Sequence, residues 1–441
     1  MTQTFRSRVL AGSGANAIGQ VLSIGIQLAS LPLFLHYWDA TNYGVWLILA
    51  AIPSYLAMAD VGIVTAAGNR MMIAMGMQEP AEANKIFQSA LLFVLLVCGA
   101  LIAILIPAIL FFPIPNITAN SDYRIAILFL SGCVFLTLFG GLTDAIFKST
   151  ERYPTGTMLS NLVRLLEWCG SILGLIFFGT FSAVAAGGFI ARAIALVFVS
   201  AVATKGNHGF RWGVSNANLL EIRGIAKPAF SFMLFPLSFA LSIQGFTLLI
   251  AHALGPAAVA IFNTYRTFAR ISVQATSVLS HALWPEFSRL YGANKFASLL
   301  QIYKSTFWLG LILAIVLSAV QYITAPFALR IWTHDRITYE PFLMILMLIY
   351  AATSSAGHIP RILLSAVNRH SWLAVGTTLA SLVSLVIASL LVKIADINGM
   401  AIALLLAECA TTLISCLLCV RFLKSISQTV MQLDTPSINK Y

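Results

Sequence analysis

The chain has 441 residues, 59% of them hydrophobic and 9% charged, against about 25% charged in an ordinary soluble domain; its mean hydropathy is +0.90. These figures exclude a soluble globular domain and specify a polytopic membrane protein. The formal charge of +11 is no nucleic-acid footprint, because the basic residues sit singly in short loops rather than along a stripe.

About twelve stretches reach the roughly 20 residues that cross a hydrocarbon core. In chain order they cover 11–35, 43–68, 86–112, 125–147, 155–178, 182–203, 228–252, 257–283, 304–328, 341–364, 372–392 and 398–421. Helices are expected throughout: only helices and closed barrels satisfy every backbone polar group in lipid, and these runs are too long and too continuously apolar for barrel strands. The first, Ala11 to Leu35, exceeds a signal-peptide core and reads as a retained span. The second and eighth carry polar residues deep in the apolar pattern, which fits walls wetted on one side. Gly170 and Gly174 form a small-xxx-small packing pattern in the fifth. Pro53, Pro107, Pro236 and Pro326 lie in or near span ends, where they kink helices. Trp38, Trp46, Trp284, Trp332 and Trp372 fit an interfacial belt, with Trp46 and Trp284 able to stack on a sugar if they face a cleft. The six cysteines all fall in apolar segments and read as free thiols.

Lys and Arg gather in the even-numbered connections, while the odd ones hold only Arg124, Arg330, Arg336 and Lys393. The positive-inside rule then places both termini in the cytoplasm. The division reads as an N-lobe of six helices at 1–204, a cytoplasmic connection at 205–227, a C-lobe of six at 228–422 and a cytoplasmic tail at 423–441. An ungapped shift of 216 residues lays Leu130, Thr137, Gly141, Ile146 and Ser149 on Leu346, Thr353, Gly357, Ile362 and Ser365. An even number of spans per half makes the repeat parallel. The expected fold is all-α integral membrane: about twelve transmembrane helices in two six-helix lobes around a central cleft, a scaffold for alternating access. The connections are too short for an extramembrane catalytic domain, so an enzyme is not expected.

The charged residues inside the spans include these eight: Asp60, Asp144, Arg164, Glu167, Arg192, Arg266, Arg270 and Glu408. A charge at mid-bilayer costs roughly 2.5 to 3.5 kcal/mol on insertion scales, so one that persists faces a protein-lined cavity or a partner. Four of the eight are arginines, which points to an anionic ligand.

Particular residues carry a resemblance. Tyr43-Gly44-Val45-Trp46 running to Leu56-Ala57-Met58-Ala59-Asp60-Val61-Gly62-Ile63, then Asn69-Arg70 and the polar loop from Gln78 to Lys85, resemble the second span and following loop of bacterial polysaccharide and O-antigen flippases. These belong to the multidrug, oligosaccharidyl-lipid and polysaccharide exporter superfamily. Leu254-Gly255-Pro256, Tyr265-Arg266 and Trp284-Pro285-Glu286-Phe287-Ser288-Arg289-Leu290 resemble it again in the second half, and Ile146-Phe147-Lys148-Ser149-Thr150-Glu151-Arg152 resembles the cytoplasmic end of its fourth span. The resemblance implies translocation of a polyprenyl-pyrophosphate-linked oligosaccharide, such as an O-antigen or lipopolysaccharide repeat unit, from the cytoplasmic to the outer leaflet of the bacterial inner membrane. It implies the membrane and a lipid-linked glycan as partners, with other polysaccharide-assembly proteins alongside, and no nucleic acid.

Against that substrate each charge has a role and a plainer reading. Arg266 and Arg270, four apart on the eighth span, share a helical face on which two guanidinium forks meet pyrophosphate oxygens; alternatively each pairs with a carboxylate such as Asp60 or snorkels to an interface. Arg164 and Glu167, three apart, read as neutralising each other, and Asp144 with Lys148 more strongly so. Arg192 and Glu408, equivalent under the shift, form either a gate across the lobes or two separate cavity contacts. The substrate-binding candidates are therefore Arg266, Arg270, Arg192, Arg164, Asp60 and Glu408. Arg70, Asp144 and Arg361 are the candidates at a cytoplasmic entrance, Arg361 also fitting an ordinary positive-inside residue. No metal or cofactor is expected. Coupling to H+ or Na+ stays open, although the first and seventh spans hold no acidic residue, and His252, His281 and His358 read as packing residues.

Three competitors are weighed. A cation or multidrug extruder of the same fold wants a net acidic cavity. A major-facilitator carrier wants an Asp-Arg followed by a basic cluster after the second span, where this chain has a largely uncharged stretch. A membrane glycan polymerase or ligase wants a sizeable external loop, and those near 113–124 and 329–340 are short.

Overall fold

The computed structural model describes residues 2–56, 62–111, 120–205, 209–218, 221, 234, 236–292, 295–367, 369 and 371–434. Twelve helices are present among them: α1 Thr2–Tyr37, α2 Ala40–Ser54, α3 Ile63–Gly76, α4 Pro80–Phe111, α5 Ser121–Ser149, α6 Tyr153–Phe178, α7 Phe181–Thr204, α8 Phe246–Leu254, α9 Pro256–Gly292, α10 Phe296–Trp332, α11 Pro341–Ala366 and α12 Ser371–Asp434. A π-helical turn, Leu241–Gly245, leads into α8. The protein is an all-α, multi-pass membrane protein.

The twelve helices are not the twelve spans one for one. Among the described residues nine segments are long and apolar enough to cross a bilayer, and the difference from twelve has three local causes. The second span is broken: α2 stops at Ser54, just past Pro53, and α3 restarts at Ile63 after Gly62, whose φ of 77° a side chain would oppose. The eighth span, α9, is long enough but is diluted by Asn263, Arg266, Arg270, Ser272, Gln274 and Thr276. The eleventh and twelfth spans run together as α12, parted only by non-helical backbone at Ala395 and Asp396. A glycine is needed just beyond that break, because a Cβ on Gly399 would sit 2.3 Å from the Leu391 carbonyl oxygen. The two spans carrying polar residues in mid-pattern are thus the ones that depart from plain hydrophobic helices.

The chain forms two compact units, Met1–Ala240 and Leu241–Tyr441. In the first, α5 is the central helix, packed on α3, α4, α6 and α7; in the second its repeat counterpart α11 packs on α9, α10 and α12. The same neighbour pattern in both units is what a parallel repeat requires. Hydroxyls inside the spans are largely absorbed by the helices themselves, as in Ser23 donating to the Gly19 carbonyl at 2.8 Å and Ser131 to that of Ile127 at 2.7 Å, which removes their desolvation cost.

The closest helix contact is between α6 and α7. A Cβ on Gly170 would lie 2.3 Å from the Gly187 carbonyl oxygen, and one on Gly174 2.2 Å from that of Ala183. The small-residue pattern of α6 therefore serves helix packing, answered by Gly187 and Gly188 on α7. At one end of this pair the Asp122 carboxylate accepts from the Phe181 and Ser182 amides, both at 2.9 Å, capping the N-terminus of α7. Trp38 is not a belt residue. It is 6% exposed, donates to the Gly179 carbonyl at 2.7 Å and makes tilted ring contacts with Phe34, Trp46 and Phe181. Trp372, 77% exposed, does fit the belt. All six cysteines are free.

Candidate functional site

Among the described residues each unit carries a polar cluster within its membrane-crossing helices. In the first unit the cluster gathers where α5, α6 and α7 meet, around a cavity of about 260 Å³ whose polar lining includes Asp144, Arg164, Glu167, Arg192, Thr137 and Ser160. Glu167 on α6 forms an ion pair with Arg192 on α7 and hydrogen-bonds the Cys133 thiol of α5. Arg164 is exposed and donates to the Ser23 hydroxyl of α1 at 2.5 Å, while its charge still acts on Glu167 through space. Arg164 and Glu167 are thus not the self-contained pair that their spacing suggests. The cause is the α6–α7 contact: a Cβ on Gly188 would lie 2.4 Å from Ser171 Oγ, and one on Gly187 2.2 Å from the Gly170 carbonyl oxygen, so these glycines let α7 lie close against α6. That closeness lets Glu167 reach across to Arg192, one turn further along α7. Asp144 and Lys148 do pair along one helix, at 2.9 Å.

In the second unit Arg361 on α11 meets Glu408 on α12, Nη2 to Oε1 at 2.5 Å, and the same nitrogen reaches Thr412 Oγ1 at 3.3 Å and the Ser354 carbonyl at 3.4 Å. Gly357 makes the space, since a Cβ there would stand 2.5 Å from Arg361 Nη2 and 2.7 Å from Thr412 Oγ1. Arg192 and Glu408 are therefore separate contacts, each paired inside its own unit. Arg361, an entrance or positive-inside candidate near the end of its span, is tied into this cluster.

Arg266 is 4% exposed. Its Nη1 donates to the Ile243 and Ser242 carbonyls at 3.2 and 3.5 Å, its Nη2 to Thr247 Oγ1 at 3.4 Å and to the Asn263 side-chain carbonyl, and the guanidinium lies 5.5 Å from the Phe262 ring centre. Ser242 and Ile243 belong to the π-turn, where the ordinary i to i−4 ladder is interrupted. Arg266 thus braces a helix defect with carbonyl dipoles as its counter-charge, and among the described residues no carboxylate pairs with it. Its neighbour Tyr265 is wholly buried and fixes the entry to α11: its hydroxyl donates to the Thr338 carbonyl at 3.0 Å and accepts from the Glu340 amide at 2.5 Å. Arg270, one turn on, is half-buried. Tyr350 of α11 has Arg266, Arg270, Arg361 and Glu408 within electrostatic reach, so these groups form one basic neighbourhood.

Arg70 sits on α3, where it pairs with Glu221 at 2.9 Å; Lys85 of α4 holds the same carboxylate at 3.0 Å. The Lys85 ammonium, and Arg70 after it, keep the Glu221 carboxyl below its usual range against the opposing effect of burial. Residues 209–218 lie against α4 by the same logic: the Arg211, Asn216 and Asn218 amides donate to Asn84, Gln88 and Ser89 at 2.7 to 2.9 Å. This strap was not foreseen. Its sequence signal is that Glu221 is the only acidic residue of the connection, among Lys205, Arg211, Arg223 and Lys227. Asp60 lies outside the described residues.

No family model matches the chain, and no curated protein does. Solved structures do match its fold. An inward-facing multidrug resistance MATE family transporter of the MOP superfamily is 14% identical over 93% of this chain and 96% of its own, with a TM-score of 0.70. A MATE in complex with MaL6 is 14% identical over 96% and 97%, with a TM-score of 0.65. A MOP superfamily transporter from Pyrococcus furiosus, described as having a binding pocket of reverse polarity that suggests a different function, is 14% identical over 95% and 96%, with a TM-score of 0.64. The chain has the fold of these transporters along nearly its whole length.

Proposed function

We propose that this protein is an alternating-access transporter of the bacterial inner membrane, both termini cytoplasmic, and that it flips an anionic amphiphile, a polyprenyl-pyrophosphate-linked oligosaccharide, from the inner to the outer leaflet. The observation that carries this reading is the surplus of positive charge at membrane depth. Among the described residues the pairs Arg192–Glu167, Lys148–Asp144 and Arg361–Glu408 engage the carboxylates of both clusters, and Arg164 and Arg266, which hydrogen-bond to uncharged groups, add charge beyond them. Arg164 is the one best placed for ligand, exposed beside a polar cavity that a hydroxyl-rich headgroup suits. Arg266 contributes field more than contact, because its donors are engaged inside the fold. A pyrophosphate or sugar hydroxyl cannot cross hydrocarbon unpaired, and fixed guanidiniums offset that desolvation. The membrane potential assists, since each negative charge moved outward gains about 2.3 kcal/mol per 100 mV.

A second reading, a multidrug or cation extruder, has its own support: the solved structures sharing this fold include multidrug resistance MATE transporters. Pocket polarity separates the two, and a MOP superfamily transporter of reverse pocket polarity is already among the similar structures. The test is reconstitution of the full chain in vesicles with two probes, a polyprenyl-pyrophosphate-linked oligosaccharide followed by leaflet-selective chemistry and ethidium followed by uptake. Translocation of the first, weakened by Arg164→Ala and partly restored by Arg164→Lys, supports the flippase. Movement of ethidium alone overturns it in favour of the extruder.

A further inference from the structure

The lipid-facing side of the second unit is not a plain ridge of helices. Between α10 and α11 lies a hollow of about 470 Å³ lined by Ile315, Ala319 and Tyr322 from one helix and Ile345, Ile349 and Ala352 from the other. Both sets follow the same i, i+4, i+7 spacing, so each is a continuous stripe on its helix. Small side chains open the hollow, Ser318 and Ala319 on α10 and Ala352 on α11. Small residues usually let two helices close on each other; here the space over them is left unfilled by protein.

The helices themselves say what medium covers it. Both α10 and α11 are membrane-crossing segments, and the exposed flank of α10 around the hollow is Trp308, Ile312, Val316, Val320, Ile323 and Phe327. The occupant is hydrocarbon. Hydrocarbon chains gain nothing from water exclusion inside a bilayer, so a hollow holds one chain in preference to another only through close packing. A methyl-branched chain carries side groups that fit between two knobbed stripes, which a straight chain lacks.

The other face of α11 supplies the link to substrate. Tyr350, next to Ile349, is turned inward to the neighbourhood of Arg266, Arg270, Arg361 and Glu408. One helix therefore carries a basic cluster on its protein side and an apolar trough on its lipid side, the two chemistries of a lipid with an anionic head and a long tail. We infer that the α10–α11 trough seats the isoprenoid chain of the transported lipid, which rests on the flippase reading above. Tail length then becomes a determinant of transport.

The experiment uses the full chain in phosphatidylcholine–phosphatidylglycerol vesicles and one pyrophosphate-linked disaccharide attached either to a long polyprenyl chain or to a geranyl chain. Ala352→Phe and Ala319→Leu fill the trough from its lipid side without touching the core. The expected result is a several-fold loss of long-chain translocation in each variant with geranyl transport unchanged. In parallel, in vesicles of phosphatidylcholine alone, a benzophenone-bearing polyprenyl phosphate should label α10 and α11 at the two stripes, with competition by added unlabelled polyprenyl phosphate and not by added phosphatidylglycerol. Equal loss for both tails, no loss for either, or labelling that phosphatidylglycerol displaces equally well overturns the assignment while leaving the flippase intact. Failure of the unsubstituted chain to move either probe overturns the flippase and the trough's role with it.

Discussion

Gly170→Ala is a single methyl group placed where the fold has no room for it, and its consequences can be worked from the coordinates. The new Cβ would stand 2.3 Å from the Gly187 carbonyl oxygen and 2.7 Å from Ala191 Cβ. A comfortable carbon–oxygen contact is roughly 3.3 Å or more, so α6 and α7 must part by about 1 Å. The obstructing atom is backbone and cannot rotate away. Overpacking typically costs about 1 to 3 kcal/mol, and the rigid neighbour puts this site at the upper end. At about 2 to 4 °C per kcal/mol for a unit of this size, the midpoint of thermal unfolding should fall by about 6 to 12 °C. Parting the helices also draws Glu167 away from Arg192, so transport should suffer beyond what lost stability explains. Thermal unfolding in lipid nanodiscs measures the first effect, and transport at a temperature where the variant stays folded measures the second. A midpoint within about 1 °C of the parent would refute the claim that the two backbones touch here.

Glu408→Gln leaves the partly buried Arg361 guanidinium without its counter-charge, and removing one partner of a buried pair typically costs about 3 to 5 kcal/mol; Arg361→Met in the same chain should recover most of the loss, and simple additivity in the double-mutant cycle would show that the pair is uncoupled. The strap predicts a pH effect of defined sign. The Glu221 pKa is lowered from 4.5 in the folded protein, so its contribution is complete above 4.5 and disappears as the pH falls through the lower folded value. Protection factors of the Arg211, Asn216 and Asn218 amides should drop over that acid range in the parent and be low and flat in Glu221→Gln. Arg266→Met should lower the unfolding midpoint, because it strips the Ser242 and Ile243 carbonyls of their donor; an unchanged midpoint would refute the bracing role.

Helical class and the two-fold repeat were legible because they depend on quantities local in sequence, hydropathy over some twenty residues and an ungapped register, whereas the twelve expected spans became nine segments where the second broke, the eighth was diluted and the last two merged. Asp144–Lys148 was legible for the same reason, a four-residue spacing fixed by helix geometry. Arg164–Glu167 has nearly the same local claim and yet Glu167 goes elsewhere, because Gly187 and Gly188 bring α7 close enough for Arg192 to compete. Nothing within α6 announces that. Arg361 and Glu408 lie on different spans and the strap's Glu221 finds its partners on α3 and α4; such pairings appear only once helix neighbours are known. Arg266 shows the limit most clearly: its position on a polar face was readable, but the π-turn that consumes its donors was not, since the turn lies on another segment and has no composition signal.

The repeat is faithful in backbone and unfaithful in charge, and that asymmetry bears on mechanism. Equivalent positions on the sixth and twelfth spans carry Arg192 and Glu408, opposite in sign, and each is neutralised from a non-equivalent helix, α6 in one unit and α11 in the other. The two halves share a helix arrangement but not a set of pairings. Two functionally identical halves would have no reason to differ at this depth. Units with distinct tasks would: in the first an exposed arginine beside a polar cavity suits a hydrated anionic head, and in the second a buried basic cluster backs onto an apolar trough that suits a tail. Exchanging the signs within one unit, Arg192→Glu with Glu167→Arg, preserves the local pair and its stability but moves the positive end away from α7. If charge placement and not mere neutrality governs transport, this double variant should fold normally and translocate poorly; normal transport would mean that the clusters are structural and that the anionic substrate must be sought on other grounds.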